Sequence, residues 1–423
     1  MTDRPDIRAA VARRLKQRHA AERRFRFYGI LAIGVALAFL AILLGRIIEQ
    51  GHTAFYTHAI EMDVTIDGAS IDPAYPQGAN YDQMATEAMM AELGVDASDP
   101  EVVQEARDLL SPDMGFQLLR LVRENPSVIG STVTIEAPVG DSADLYYKDE
   151  ISLETPADQR VLSDRQIGWL DRLEADGLVE SQFNSGLFTR SDSTQPETAG
   201  LLGAVVGSAM MLLVTALLSI PIGVLAAVYL EEFAPKNRLT EIIEVNINNL
   251  AAVPSIVYGL LGLAIFIGWM GLPRSSPLVG GIVLSLMAMP TVIIATRAAL
   301  KAVPPSIRDA ALALGASRTQ TVFSHVLPLA LPGVMTGSII SMAHALGETA
   351  PLLMIGMVSF VPGVPEGILS ASSALPTQIF IWENAAEAAF HERTAAAIIV
   401  LLVFMVVMNA VAIVLRRRLE RRW

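Results

Sequence analysis

Six long apolar stretches constrain the fold of this chain more than any other feature of its sequence. They lie near residues 27–48, 199–230, 247–272, 277–299, 330–357 and 394–415. A helix needs about 20 apolar residues to cross the hydrocarbon core of a bilayer, which is about 30 Å thick. Each stretch is long enough, and 52% of the 423 residues are hydrophobic. We therefore predict an all-α polytopic membrane protein with six transmembrane helices.

Lys and Arg residues cluster at both ends of the chain. Residues 1–26 and 416–423 form basic tails, and another basic segment follows the fourth apolar stretch. Because basic residues resist translocation, these segments are predicted to be cytoplasmic, as an even number of spans requires. A signal peptide is the alternative interpretation of residues 27–48, but the apolar run is too long and no small-residue cleavage site follows it. We predict that this stretch is retained as transmembrane helix 1.

The segment between the first two apolar stretches is acidic. Residues 51–198 contain 28 Asp or Glu and 8 Lys or Arg, a balance of −20, whereas the rest of the chain has a balance of +8. Local patterns predict four elements within it: strands at residues 64–66 and 133–135, and helices at residues 109–122 and 167–178. Residues 191–198 are predicted to be a polar linker. Residues 50–198 are thus predicted to form an extracytoplasmic α+β domain inserted between helices 1 and 2.

Residues 304–328, between the fourth and fifth apolar stretches, are predicted to form two short helices. Two pairs of residues have the spacing of a capping box: Ser306 with Asp309, and Ser317 with Gln320. Gly315 is placed to end the first helix in the left-handed conformation, and Pro328 to end the second. The pattern predicts a helical hairpin on the cytoplasmic surface, with a glycine at its tip.

Six residues of this hairpin form a spaced pattern: Asp309, Ala310, Ala311, Gly315, Leu327 and Pro328. The pattern resembles the EAA loop of the binding-protein-dependent importer permeases. It departs from that loop at Asp309, where glutamate is usual, and at His325, where an aliphatic residue is common. The resemblance implies that the loop docks into a cleft on a separate cytoplasmic ATPase dimer.

The chain itself lacks the phosphate-binding loop of an ATPase. No GxxxxGK[ST] sequence is present, so ATP and Mg are expected on the partner and no cofactor is expected in this chain. No cysteine is present and the six histidines are scattered, so no metal site is predicted. No constellation of nucleophile and base is visible either, and we predict that the chain is not an enzyme.

Three further segments resemble the phosphate permeases of the PstA type: NLAAVPSIVYGLLG, HALGETAPLLM and LPTQIF. The resemblance covers the permease core, residues 199–415, and runs on to the C-terminus. It implies the type I ABC importer permease fold, a bacterial inner membrane location and transport of inorganic phosphate. It also implies two partners besides the ATPase: a second permease of the PstC type and an extracytoplasmic phosphate-binding protein. The long insert resembles an extension found in a subgroup of these permeases.

His344 and Glu348 are the candidate substrate-pathway residues, together with the adjacent Thr349. His344 and Glu348 lie four residues apart, on one face of a predicted helix in an otherwise apolar stretch. A charged residue at bilayer depth costs about 2.5–3.5 kcal/mol, so such residues usually face protein or a water-filled path. A purely structural hydrogen bond remains the alternative. Many phosphate permeases have arginine where His344 stands, and Arg297 is a second candidate cation or else an anchor at a helix end.

Two other functions remain open. The same machine could carry another oxyanion, such as sulfate or molybdate. The chain could instead be a membrane-anchored sensor with an extracytoplasmic receiver, although the tail after residue 415 is short for an output domain. Nothing in the sequence indicates a nucleic-acid partner.

Overall fold

The computed structural model describes residues 7–72, 75–151, 156 and 160–419, and the chain divides into two compact units, Met1–Gln50 and Gly51–Trp423. The described residues of the first unit, 7–50, lie in a single long helix, α1 (Ile7–Gly51), whose last residue is the first residue of the second unit. The predicted first span lies within α1, whose most apolar window has a mean hydropathy of 2.6. Parts of the two predicted basic tails, residues 1–6 and 420–423, lie outside the described residues.

Residues 51–198 of the second unit, called the inserted domain below, contain a three-stranded antiparallel sheet in the order β2-β1-β3. The strands are β1 (Tyr56–Thr65), β2 (Thr132–Pro138) and β3 (Val179–Phe183). The helices are α2 (Tyr81–Leu93), α3 (Pro100–Asp108), α4 (Met114–Glu124), α5 (Asp141–Tyr147), α6 (Asp164–Ala175) and α7 (Gly186–Thr189). Alternate residues of β1, Ile60, Met62 and Val64, are buried against these helices. The predicted mixture of helices and strands is confirmed.

Some details of the inserted domain differ from the sequence prediction. Both predicted strands exist, but each is longer than predicted, and β3 was missed because its five residues carry little periodicity. Residues 191–198, predicted to be a polar linker, contain no α-helix or strand, only the 3-10 turn Pro196–Thr198. Asp192 is buried, and its Oδ1 accepts a hydrogen bond from Trp382 Nε1 at 3.0 Å. The segment is therefore packed against the rest of the second unit.

The remainder of the second unit, called the core below, is helical. Its helices are α8 (Leu202–Val228), α9 (Arg238–Ala251), α10 (Ser255–Leu261), α11 (Pro277–Lys301), α12 (Pro305–Ala313), α13 (Arg318–Thr321), α14 (Leu327–Gly347), α15 (Ala350–Met354), α16 (Leu375–Glu383) and α17 (Ala389–Leu419). Three π-helical segments continue these helices: Tyr229–Phe233, Gly262–Trp269 and Val322–Val326. The prediction of a multi-pass, mainly helical membrane protein is confirmed.

The third predicted span is not a straight helix. Among the described residues, five helices are long and apolar enough to cross a membrane, and α9 with the helix that starts at Ser255 makes a sixth only as a bent pair. The two parts meet at 101°. Pro254, at the bend, has no backbone N–H and disfavours the helical conformation of Val253 before it. The bend is a broken span or a re-entrant loop.

Helix α11 lies between α8 and α14 in the core. Small residues allow these helices to approach closely. A Cβ atom at Gly223 of α8 would lie 2.8 Å from a side-chain atom of Val292, and one at Gly281 of α11 would lie 2.5 Å from Cβ of Val214. A Cβ atom at Gly333 of α14 would lie 2.7 Å from Cβ of Ala299 in α11, so the same close packing holds α14, which connects the two regions that carry the candidate functional residues.

Candidate functional site

The first of these regions is a break in the fifth predicted span. Helix α14 ends at Gly347 and α15 begins at Ala350, so Glu348 and Thr349 lie in non-helical backbone. Glu348 has φ −79° and ψ 119°, an extended conformation. The break precedes Pro351, which has no N–H to continue the hydrogen bonds of α14. His344 and Glu348 therefore do not share a helical face, because His344 lies in α14 and Glu348 follows the end of that helix.

His344 and Glu348 are nevertheless in contact. His344 Nε2 lies 3.2 Å from Glu348 Oε1. The His344 side chain is 68% exposed in this chain, whereas that of Glu348 is 19% exposed. The pair is an ion pair only when the imidazole is protonated, and otherwise a hydrogen bond. The arrangement holds a shielded carboxylate behind an accessible imidazole.

The bend between α9 and α10 packs beside this break. A Cβ atom at Gly259 of α10 would lie 2.7 Å from Cα of Pro351, so the two backbones touch. Tyr258 Oη donates a hydrogen bond to the carbonyl oxygen of Leu250 at 2.9 Å, which ties α10 back across the bend to α9. Irregular backbone at membrane depth is tolerated where it is buried in protein or lines a water-filled cavity. Two broken helices in contact are typical of transporter binding regions.

The second region is the loop at residues 304–328. Gly315 follows the end of α12 with φ +85°, as predicted. Its N–H donates a hydrogen bond to the carbonyl oxygen of Leu312 at 3.0 Å, and the N–H of Ala316 donates to the carbonyl oxygen of Ala311 at 3.1 Å. These two bonds end the helix in a Schellman motif. The predicted capping box at Ser317 is also confirmed.

Two predictions for the loop are wrong. Ser306 does not cap a helix with Asp309, because α12 begins at Pro305 and no side chain caps it. A proline in the first turn needs no partner for the N–H that it lacks. Pro328 does not end the second helix, since Arg318–Gly347 forms one continuous apolar helix of 30 residues. The π-helical turn before Leu327 widens the hydrogen-bond spacing where the proline enters.

The structure separates the six residues of the loop pattern. Asp309, Ala310 and Gly315 are exposed on α12 and its turn, and Ala311 is buried beneath them. Leu327 and Pro328 lie in the body of the following helix. The exposed turn also presents Leu314, which is 90% exposed.

Sequence reasoning missed the residue that holds this loop in place, Arg308. Its Nη2 lies 2.6 Å from Oε1 of Glu232, a buried residue in the π-helical segment after α8. The same guanidinium donates to the carbonyl oxygens of Val303 at 2.8 Å and Leu300 at 3.0 Å, at the end of α11. Two consecutive acidic residues, Glu231 and Glu232, follow an apolar stretch in the sequence. They were the available signal that a basic residue elsewhere in the chain pairs with this segment.

Arg297, the other candidate cation, is held in ion pairs. Its Nε lies 3.3 Å from Glu231 Oε2, and its Nη2 lies 2.7 Å from Glu244 Oε1. These contacts link α11 to the segment after α8 and to α9. The geometry favours the anchoring interpretation of Arg297 over a free substrate-binding charge.

A separate acidic cavity lies in the second unit, beside α5. It has a volume of about 280 Å³, and its lining includes Asp141 and Glu197. Burial and, to a lesser extent, the nearby Glu197 raise the pKa of the Asp141 carboxyl to about 6, against the opposing charge of Arg393. Burial also raises the pKa of Glu197. The two carboxyl groups therefore bind protons in the folded protein more readily than in the unfolded chain.

Replacing Asp141 with Asn is expected to stabilise the protein at neutral and alkaline pH. A raised folded-state pKa gives stability that is complete below the unfolded value near 4 and is lost as pH rises through about 6. The substitution removes that loss, worth about 1–2 kcal/mol after allowance for solvent screening. Thermal unfolding of the purified protein should show a gain of about 2–4 °C at pH 8 that shrinks toward pH 4. Glu92→Gln, at an exposed carboxylate of α2, is the control. An equal gain at both pH values would contradict the account.

Residues 219–423 match the family described as binding-protein-dependent transport system inner membrane component. Residues 12–157 match a domain of unknown function, DUF3333. The chain is 34% identical over 174 residues to the probable ABC transporter permease protein YqgI of Bacillus subtilis, covering 41% of this chain and 58% of that protein. It is 31% identical over 242 residues to the phosphate transport system permease protein PstA 1 of Mycobacterium tuberculosis, covering 56% of this chain and 78% of that protein.

A solved structure of the MetNI methionine ABC transporter contains a chain that is similar in fold. The TM-score is 0.43 and the sequence identity 19%, and the match covers 52% of this chain and 96% of that chain. This chain thus spans 58% of the length of the Bacillus subtilis relative and most of the length of the Mycobacterium tuberculosis relative.

Proposed function

Since this chain belongs to the PstA-type permeases of the binding-protein-dependent transport system inner membrane component family, we propose that it is a permease subunit of an ATP-driven importer of inorganic phosphate. The observation that carries the proposal is the 31% identity over 242 residues to a phosphate transport system permease, 78% of whose length is covered. Members of this family are membrane subunits of ABC transporters. As such a subunit, this chain forms half of the translocation pathway.

The proposed partners follow from the exposed loop and from the family to which the chain belongs. A cytoplasmic ATPase dimer docks at the turn that presents Leu314 and Gly315, and it carries the ATP and Mg. A second permease subunit of the PstC type supplies the other half of the pathway. An extracytoplasmic phosphate-binding protein delivers the substrate. The chain itself carries no cofactor and catalyses no reaction.

The proposed substrate pathway passes the break after α14. His344, Glu348 and Thr349 are its candidate lining residues, and the bend between α9 and α10 adds irregular backbone beside them. Phosphate is an anion, so His344 attracts it when its imidazole is protonated. Support for this role comes from the exposure of His344 and its 3.2 Å contact with Glu348.

Vesicle transport tests the substrate. Inside-out and right-side-out membrane vesicles from cells that express the complete transporter would be compared for uptake of radiolabelled phosphate, sulfate and molybdate. We expect phosphate uptake that a hundredfold excess of sulfate or molybdate leaves largely intact. Strong competition by one of these anions would instead identify it as the substrate.

We propose that the inserted domain faces the outside of a bacterial inner membrane and serves in partner docking or gating. Its balance of −20 over residues 51–198 repels anions at distances up to about 8–10 Å, beyond which salt screens the charges. The domain is therefore not expected to hold phosphate itself.

The orientation gives a direct prediction. Protease added to intact spheroplasts should cleave the inserted domain and leave the loop at residues 304–328 uncut, because only the former is exposed outside. Immunoblots against tags at Gly68, in an exposed turn after β1, and in the loop at Ser306 would detect the fragments. Cleavage of the loop before spheroplasts are lysed would show the opposite orientation.

A further inference from the structure

A lysine joins the inserted domain to the last long helix of the core. Lys148, which follows α5, lies with its Nζ 2.7 Å from Oδ2 of Asp144 and 2.8 Å from Oε1 of Glu392 in the first turn of α17. The three side chains are 6%, 10% and 9% exposed, respectively. The ammonium group therefore bridges two carboxylates that belong to different parts of the chain and are shielded from water.

The Asp144 carboxylate is itself fixed from the sheet. His58 of β1 donates its backbone N–H to Oδ1 at 2.9 Å, and its Nδ1 lies 3.0 Å from the same oxygen. Burial works to raise the pKa of Asp144, but the hydrogen bonds from His58 and the charge of Lys148 outweigh it and lower the pKa. Asp144 thus stays anionic at neutral pH, and the bridge keeps its charge.

Other contacts reinforce the same junction. Arg393, next to Glu392, is 5% exposed and donates to the carbonyl oxygen of Ala199, at the start of the core, at 3.1 Å. A Cβ atom at Gly51 would lie 2.7 Å from the carbonyl carbon of Ala395, so the entrance to the inserted domain also presses on α17. Buried ion pairs contribute little net stability, but removing one partner leaves an uncompensated buried charge, so separating Lys148 from its two carboxylates is unfavourable.

The far end of α17 is tied to the helix that leads to the candidate site. Helix α17 packs against α14, and Arg416 Nη1 donates to Thr336 Oγ1 at 2.9 Å. Helix α14 in turn carries His344 at one end and continues from the loop after Gly315 at the other. A displacement of the inserted domain therefore has a packed route, through α17, to both candidate functional regions.

We propose that Lys148 is a positioning residue that makes the inserted domain and α17 move as one unit, so that a binding protein docking on the domain acts on the last span. This role rests on the proposed function, because it assigns the docking partner as the extracytoplasmic binding protein. The inserted domain then serves as the docking lever of the permease. The sequence separation of 244 between Lys148 and Glu392 makes the bridge a tertiary contact rather than a local one.

The test replaces Lys148 with Met in the complete transporter complex, reconstituted in nanodiscs. Met keeps most of the side-chain length but has no charge. We expect ATPase capture and basal ATP hydrolysis to stay within twofold of wild type, while stimulation by phosphate-loaded binding protein falls at least tenfold. Arg165→Met is the matched control, since Arg165 pairs with Glu105 inside the same domain at 3.0 Å and its loss should leave stimulation unchanged.

A conservative variant separates positioning from general damage. Lys148→Arg keeps a cation between the Asp144 and Glu392 carboxylates, so it should retain at least half of the stimulation. If Lys148→Met lowers basal hydrolysis and stimulated hydrolysis in the same proportion, or if Lys148→Arg loses as much stimulation as Lys148→Met, Lys148 is only structural and the proposal is overturned.

A distance measurement tests the bridge without reference to the substrate. The chain has no cysteine, so Phe116→Cys in the inserted domain and Val403→Cys in α17 can carry spin labels in an otherwise unlabelled protein. We expect one narrow distribution of the distance between the two labels when Lys148 is present, and a broadened distribution when Lys148→Met is added to the labelled protein. An unchanged distribution would overturn the proposal that Lys148 makes the inserted domain and α17 move as one unit. Absence of phosphate transport by wild-type complexes with an intact distance effect would overturn the proposed function instead.

Discussion

Replacing Gly315 with Asp is expected to leave the protein inserted in the membrane and to abolish phosphate uptake. Gly315 has φ +85°, and a residue with a Cβ adopts that conformation at a cost of about 1 kcal/mol. Apart from the two chain neighbours of Gly315, no atom of the described residues lies within 4 Å of the Cβ position, so the substitution does not disturb the packing of this chain. The added carboxylate projects instead from the tip toward the proposed ATPase cleft, where close packing leaves little room.

The measurement combines phosphate uptake with capture of the ATPase by the purified permease. We expect uptake to fall to background, and ATPase capture or binding-protein-stimulated hydrolysis to be lost with it. Gly315→Ala, with a smaller side chain, should be milder. Gly94→Asp is a matched control, because Gly94 ends α2 with φ +64° and an equally open Cβ position, away from the loop. Gly315→Asp complexes with normal ATPase capture and normal stimulated hydrolysis would show that this loop is not the transmission contact.

Replacing Glu348 with Gln is expected to reduce phosphate uptake at least tenfold while the complex assembles normally. Gln preserves the shape and one hydrogen bond to His344, whose Nε2 lies 3.2 Å from Oε1 in the unsubstituted protein, but it removes the negative charge of the carboxylate. A tenfold loss corresponds to about 1.4 kcal/mol at the rate-limiting step. A purely structural hydrogen bond would survive this substitution.

The experiment measures initial uptake rates in vesicles together with the yield of the copurified complex. Glu383→Gln is the control, since Glu383 in α16 is exposed and lies outside the break. Normal uptake by correctly assembled Glu348→Gln complexes would exclude a role for this carboxylate in the pathway.

The sequence predicted those parts of the fold that depend on local composition. Long apolar runs identify membrane helices because about 20 consecutive apolar residues match the thickness of the hydrocarbon core. The structure places helices in all six runs. The left-handed glycine at residue 315 and the capping box at Ser317 were equally local and were found. These features need no knowledge of what packs against them.

Features that depend on packing were predicted less well. The apolar run at residues 247–272 reads as one span, but Pro254 and the contact of Gly259 with Pro351 bend it by 101°. Glu348 was placed on a helical face, whereas the helix ends one residue earlier. Periodicity does not reveal whether a helix continues through a residue before a proline.

Contacts between distant residues were not predictable at all. Arg308 pairs with Glu232 across 76 residues, and Lys148 pairs with Glu392 across 244. Each residue alone is an ordinary charge in a charged segment. Only the fold brings the partners together, and the roles of the candidate site residues themselves stay predictions.

Reconstituted transport tests the central claim most directly. Proteoliposomes would contain the complex purified through this chain, and uptake of radiolabelled phosphate would be measured with ATP and the binding protein present, then with each omitted in turn. We predict uptake that requires both, stops when the ATPase is inactivated and is not replaced by sulfate or molybdate uptake. Phosphate uptake that persists without ATP, or ATP-driven uptake of another oxyanion in its place, would contradict the assignment of this chain to a phosphate importer.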